Sequence, residues 1–166
     1  MEQVLPDSQK RRAKDIMTTD VVTVQPDTRV SEVARLMSEH AISGLPVVDE
    51  DGRVLGVITE ADMMLRNSRF KMPAFIVFLD SFISLETPAH FRKRLEHMLG
   101  NTAGEIMSKP AVTIGPDATV EELSSLMVER KMNPIPVVEN DRLVGIISRS
   151  DIIRLMAEDF WQRKEE

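Results

Sequence analysis

The sequence predicts an α/β (α+β) fold: two β-α-β-β-α units related by a pseudo-twofold axis, with a helical insert between them. Three observations carry this reading. First, the chain repeats itself: residues 15–65 align with residues 105–154 at an offset of 90, which becomes 89 once one residue is dropped in the turn near Asp141. Second, each copy alternates short β-branched runs with apolar stripes at helical spacing. Third, segment 67–104 has no counterpart. The expected organisation is therefore an N-terminal segment 1–14, a first repeat 15–66, an insert 67–104, a second repeat 105–160 and a tail 161–166.

Within each repeat the elements follow in order. Val21 to Val24 form a β-branched run closed by Gln25-Pro26-Asp27, a strand and then a turn. Val30, Val33, Ala34 and Met37 recur at helical spacing, and Leu36 widens the stripe. The second copy carries Val120, Leu123 and Met127, with Thr119 and Glu122 as a capping box. Arg29 holds that cap position in the first copy, so its helix start is less well specified. Leu45-Pro46-Val47-Val48, a turn at Asp51-Gly52 and Val54 to Ile58 read as a hairpin. Ile135 to Val138, Asn140-Asp141 and Leu143 to Ile147 repeat it. A final helix begins after Thr59 in one copy and after Ser148 in the other.

The insert holds five of the six phenylalanines: Phe70, Phe75, Phe78, Phe82 and Phe91. Thr87-Pro88 suits a helix start, Phe91, Leu95, Met98 and Leu99 line one face, and Gly100 ends it. Arg92, Lys93, Arg94 and His97 cover the other face. Such helices are expected to pack on the repeats or on a second subunit.

Bulk properties exclude several classes. A net charge of −6 argues against binding driven by nucleic-acid phosphates. There is no cysteine, hence no disulfide, thiolate nucleophile or Cys-based metal site, and a cytoplasmic location is expected. The first fifteen residues have no apolar core, so no secretory signal is expected. No stretch approaches the roughly 20 apolar residues that span a bilayer. His40, His90 and His97 are scattered without metal-ligand spacing, so no metal site is predicted. No catalytic constellation stands out, and an enzyme is not expected.

The residues with chemical potential are Gly56-Val-Ile-Thr59-Glu-Ala-Asp62 and Gly145-Ile-Ile-Ser148-Arg-Ser-Asp151. Read structurally, Thr59 and Ser148 are N-caps and the aspartates are their reciprocal partners. Read functionally, a helix N-terminus offers N–H groups and a positive dipole end to an anion, and a carboxylate accepts two hydrogen bonds from a diol. Glycine three residues earlier removes a side chain where a ligand would lie close. Both readings use the same atoms and stand together.

The duplicated pattern resembles a tandem pair of CBS domains, the arrangement called a Bateman module. The carriers are Asp15-Ile-Met17 and Glu105-Ile-Met107, Val22-Thr-Val24 and Val112-Thr-Ile114, Leu45-Pro-Val-Val48 and Ile135-Pro-Val-Val138, and the two glycine-to-aspartate segments. They cover about two thirds of the chain, as a stand-alone module would. The resemblance implies a regulatory module that binds an adenosine-type ligand (AMP, ADP or ATP, with Mg²⁺ accompanying ATP) between the repeats. An S-adenosylmethionine sensor and a ligand-free docking dimer are its alternatives. It implies a homodimer joined through terminal helices and an effector protein that reads the bound state. By the same resemblance, Asp62 and Asp151 hold ribose hydroxyls, and Thr59 and Ser148 contact ribose or phosphate. Ile42, Gly44 and Pro46, with Met132, Pro134 and Pro136, wall the adenine. Arg149 replaces Glu60, Lys109 replaces Thr19, and Arg130-Lys131 replace His40-Ala41. The second repeat is therefore expected to be richer in phosphate partners.

Overall fold

The computed structural model describes residues 11–67, 75–78, 81–84 and 100–162. Each repeat opens with a one-turn lead-in helix, α1 (Ala13–Ile16) and α4 (Ala103–Ile106). The first continues through α2 (Val30–Glu39), β1 (Gly44–Val48), β2 (Val54–Thr59) and α3 (Glu60–Asn67). The second continues through α5 (Val120–Glu129), β5 (Ile135–Glu139), β6 (Arg142–Ile147) and α6 (Arg149–Gln162).

The apolar stripes do what their spacing predicts. Val30, Val33 and Met37 are the buried face of α2, and Val120, Leu123 and Met127 that of α5. Thr119 and Glu122 close their capping box, with the Glu122 N–H reaching Thr119 Oγ1 at 3.1 Å and the Thr119 N–H reaching Glu122 Oε2 at 2.7 Å. Arg29 caps α2 without a side-chain bond.

β1 and β2 pair antiparallel with a bulge between Val47 and Val48, and β5 and β6 pair likewise with a bulge between Val137 and Val138. The run Val21–Val24 is not a full strand. Only Val24 bridges in parallel to Val47, as Ile114 does to Val137. The chain turns away at once, the Gln25 N–H bonding Thr28 Oγ1 at 3.1 Å.

The insert also departs from expectation. Phe75–Phe78 and Ser81–Ser84 form a two-stranded antiparallel hairpin, β3 and β4, with Phe78 paired to Ser81. Its sequence, Phe-Ile-Val-Phe and then Ser-Phe-Ile-Ser, is aromatic and β-branched, which favours a pleated ribbon over a helix. The helix expected over 88–99 lies outside the described residues.

The lead-in helices are exchanged between the repeats. α4 and Met107 belong to the core of the first repeat, with Val33, Leu45, Val47 and Ile58. Ala13, Ile16 and Met17 belong to that of the second, with Leu123, Ile135, Val137 and Ile147. A four-residue helix leaves its first N–H groups without internal partners. Here the other repeat supplies them. The Ala103 and Gly104 N–H groups donate to the Thr28 and Pro26 carbonyls, and the Ala13 and Lys14 N–H groups to the Ala118 and Pro116 carbonyls, all at 2.8–2.9 Å. Beyond each helix the chain joins the far edge of that sheet. Thr18 exchanges both backbone bonds with Ile146, at 2.9 Å each, and Ser108 exchanges both with Val57, at 2.9 and 3.1 Å.

Candidate functional site

The glycine-to-aspartate segments run from the end of β2 into α3 and from the end of β6 into α6. Among the described residues, Asp62 and Asp151 are the buried charged ones, 8 % and 7 % exposed. Asp62 Oδ2 accepts the Thr59 N–H at 2.8 Å and the Thr59 hydroxyl at 2.7 Å, and its Oδ1 accepts the Ser108 hydroxyl at 3.2 Å. Asp151 Oδ2 accepts the Ser148 N–H and hydroxyl, both at 2.7 Å, and its Oδ1 accepts the Arg154 guanidinium at 2.5 Å. The reciprocal capping arrangement is complete in the first copy, where the Asp62 N–H also reaches Thr59 Oγ1 at 3.4 Å; in the second, Asp151 accepts both Ser148 donors while its own N–H bonds the Ser148 carbonyl at 3.1 Å. Bonds of this kind satisfy carboxylates that would be expensive to bury alone.

The preceding glycines do not leave space for a ligand. A Cβ on Gly56 would stand 2.6 Å from Met107 Sδ and 2.9 Å from the Ser108 carbonyl oxygen. A Cβ on Gly145 would stand 2.8 Å from Met17 Cγ. The bare Cα is where the exchanged chain seats, which corrects the sequence reading of these two positions. The lead-in methionine of each repeat and the glycine of the other form one contact.

A cavity of about 600 Å³ lies against Ser148 and Asp151. Second-repeat residues Asn133, Pro134, Ile146, Ser148, Arg149, Ser150, Asp151 and Arg154 form one side of it. First-repeat residues Thr18, Asp20, Val21, Val22 and His40 to Gly44 form the other. The two sides meet where Gly44 packs on Pro134: a Cβ on Gly44 would stand 2.6 Å from Pro134 Cδ and 2.7 Å from the Ile58 carbonyl oxygen. There Asn133 Nδ2 donates to Ser43 Oγ at 3.2 Å, and Asn133 Oδ1 accepts the Arg149 N–H at 2.8 Å. That N–H, expected to be open to an anion, is thus taken. The Glu60 N–H is taken likewise by the Ser43 carbonyl at 3.0 Å.

Of the residues expected to bind ligand, Ser148, Asp151, Arg149, Ile42, Gly44 and Pro134 line this cavity together. Thr59 and Asp62 form the equivalent corner in the other repeat. Lys109 belongs with them, because its neighbour Ser108 is bonded to Val57 and Asp62. The expected grouping of Lys109 with Arg149 is therefore corrected: the exchange carries it to the opposite corner. Arg130 is corrected too, since it lines a separate depression of about 840 Å³ on the outer face of α5. That depression also holds Asp117, Glu121, Glu122 and Glu129, an acidic lining unsuited to phosphate. Pro46 and Pro136 are fully buried, so neither walls a ligand. Their carbonyls instead accept the Val24 and Ile114 N–H groups at 3.1 Å. Met132 packs against the second core.

Sequence reasoning missed Thr18, Asp20, His40, Ser150 and Arg154. Thr18 was hidden because the exchange carries it to the other repeat's corner, and His40 because the end of α2 faces that corner across the two repeats. Arg154 was legible as a difference: it stands where the first copy has Leu65, one helical turn past the aspartate. Among the described residues no cluster of histidine and carboxylate side chains is arranged to hold a metal ion.

Comparison with known proteins settles the family. The model of the CBS domain matches residues 13–68 and 103–158, more than half of the chain. The chain belongs to the CBS domain family. The CBS domain-containing protein YhcV of Bacillus subtilis is 30 % identical over 139 residues, covering 84 % of this chain and 81 % of that protein. Inosine-5'-monophosphate dehydrogenase of Korarchaeum cryptofilum is 30 % identical over 166 residues, covering 99 % of this chain but 28 % of the enzyme, so the likeness spans a minor part of it. Among solved structures, CBSX2 of Arabidopsis thaliana in complex with AMP superposes with a TM-score of 0.73 at 22 % identity, covering 89 % of this chain and 97 % of that one. The CBS domain pair of protein MJ0100, in complex with 5'-methylthioadenosine and S-adenosyl-L-methionine, gives a TM-score of 0.66 at 25 % identity, covering 89 % and 97 %. The two CBS repeats seen here are the fold these structures share.

Proposed function

We propose that this chain is a regulatory module that binds an adenine nucleotide (AMP, ADP or ATP) in the cleft of Ser148 and Asp151. The observation that carries the reading is the composite cavity. Its volume of about 600 Å³ lies within the range of small-molecule sites, roughly 300–1,000 Å³. It sets a buried carboxylate and the Ser148 and Ser150 hydroxyls, suited to a ribose, beside two arginines suited to phosphate. Ile42, Val22 and Pro134 offer apolar surface for a base. A ligand there touches both repeats, so its affinity depends on their relation, and that dependence is the basis of a switch. ATP would enter with Mg²⁺. The CBS pairs that bind AMP or S-adenosylmethionine lend support by fold and family. No catalytic role is assigned to the cleft.

The protein is proposed to act as a homodimer read by an effector protein. Met64 on α3 and Ile153 on α6 occupy equivalent positions and are 70 % and 65 % exposed, and Met156 is 51 % exposed. Such apolar exposure on two terminal helices suits association between copies. No helix among the described residues is long and apolar enough to cross a membrane.

Isothermal titration with AMP, ATP and S-adenosylmethionine tests the reading. Saturable binding of a nucleotide, lost in Asp151→Ala, supports it. Binding of S-adenosylmethionine alone would favour the sulfonium sensor, the second reading raised by the MJ0100 pair. Binding of none of the three would leave a docking dimer.

A further inference from the structure

We infer that Arg154 is a charge-selective latch on the Ser148/Asp151 cleft, admitting anionic adenosine ligands and discriminating against uncharged and cationic ones. The inference rests on the reading of that cleft as an adenosine-ligand site, and it concerns which ligands of that class are accepted. Both Oδ2 bonds of Asp151 come from Ser148, so the oxygen left for a ribose diol is Oδ1. That atom is held by the Arg154 guanidinium at 2.5 Å, in an ion pair whose aspartate side is 8 % exposed and whose arginine side is 61 % exposed. Asp151 is the one hydrogen-bond partner of Arg154 among the described residues.

The carboxylate has about four acceptor sites and three are filled, so a diol that donates both hydroxyls to Asp151 displaces the guanidinium from Oδ1. What happens next depends on the ligand. Arg154 lines the cavity with Arg149, whose guanidinium makes no ion pair among the described residues. A phosphate on the ligand gives the released Arg154 a new bidentate partner, and the exchange is close to balanced. Adenosine offers none, so the lost charge-assisted bond is not replaced. S-adenosylmethionine likewise brings no phosphate, and its sulfonium meets two arginines against one further carboxylate of the lining, Asp20. The first repeat differs at this position: Leu65 stands in place of Arg154, and Asp62 Oδ1 accepts the Ser108 hydroxyl.

The experiment titrates AMP, adenosine and S-adenosylmethionine into the full chain and into Arg154→Leu, which installs the first repeat's residue. The wild type should prefer AMP. In the variant, AMP should weaken and adenosine should bind as well or better, so that the AMP-to-adenosine preference falls by about tenfold or more, the scale of one charge-assisted hydrogen bond. Arg154→Gln, which keeps polarity without charge, should collapse the preference likewise, and it serves if the leucine variant does not fold. An unchanged preference in a folded variant overturns the latch while leaving the site. A wild type that binds no adenosine ligand overturns both.

Discussion

Met17 sits on Gly145, and Met107 sits on Gly56 in the same way. Each methionine follows a lead-in helix that has crossed to the other repeat, and each glycine admits it because no Cβ stands in the way. The residue after each methionine then reaches the other repeat's aspartate corner: Thr18 lines the Ser148/Asp151 cavity and Ser108 bonds Asp62. The Ser148/Asp151 cleft and the Asp62 corner are composite because the cores are.

This seating makes a sharp prediction. Gly56→Ala drives a methyl group toward the Ser108 backbone as well as Met107, and backbone yields less readily than a thioether. Overpacking of this kind costs about 1–3 kcal/mol. Denaturant unfolding should show Gly56→Ala destabilised in that range, with Gly145→Ala no worse, since Met17 can shift. A change within about 0.5 kcal/mol for Gly56→Ala, the size of an ordinary surface substitution, would show that the seat is loose.

Acid should loosen the capped helix starts of α4 and α5. The N–H groups of Asn101 and then Thr102 hold the Glu105 carboxyl below the usual range, and the Thr119 N–H and hydroxyl do the same for Glu122. A depressed carboxyl stabilises the fold above its unfolded value of about 4.3 and ceases to do so as pH falls toward the folded value. Stability should be flat near neutrality with respect to these groups and decline below about pH 4.3. Glu105→Gln should shallow that decline, as read by thermal melts across pH 3 to 7. An identical slope in the variant would remove Glu105 from the acid response.

The phosphate reading predicts a salt signature. Arg149 and Arg154 flank the cavity, so ATP affinity should fall more steeply with ionic strength than adenosine affinity. Arg149→Ala should flatten the ATP slope. Lys109→Ala should leave it unchanged, because Lys109 lies at the Asp62 corner. Equal salt slopes for ATP and adenosine would place no cation beside the phosphates.

Association should depend on the exposed apolar positions. Light scattering at tens of micromolar should report a dimer, and Ile153→Asp should shift it toward monomer by burying a charge in the contact. A wild-type monomer under these conditions would remove the dimer from the account.

Much of this was legible in the sequence, for identifiable reasons. The stripes of α2 and α5 and the hairpins at Asp51-Gly52 and Asn140-Asp141 are set by local spacing and turn chemistry. The Thr119-Glu122 box and the Ser148-Asp151 pairing are set by three-residue separations. The exchange was not legible, because nothing in Asp15-Ile-Met17 says which core it enters. A domain drawn along the chain at 15–66 includes Met17, yet that side chain packs with Leu123 and Ile147. The same blindness misassigned Lys109. The ends of α2 and α5 were also silent. Ala41 and Lys131 adopt φ of 51° and 54°, a left-handed conformation that glycine or asparagine would have advertised.

The central claim is that the Ser148/Asp151 cleft holds the nucleotide through its aspartate. The most direct measurement is titration of AMP into Asp151→Ala and Asp62→Ala, with melting temperatures recorded for both. Asp151→Ala should weaken AMP by about 1.5–3 kcal/mol, the scale of a hydrogen bond to a charged group, and Asp62→Ala should weaken it less. Loss of the cap should lower both melting temperatures alike, so the difference in affinity belongs to the ligand. Equal weakening by the two substitutions, or a lowered melting temperature in Asp151→Ala with AMP affinity intact, would contradict the account.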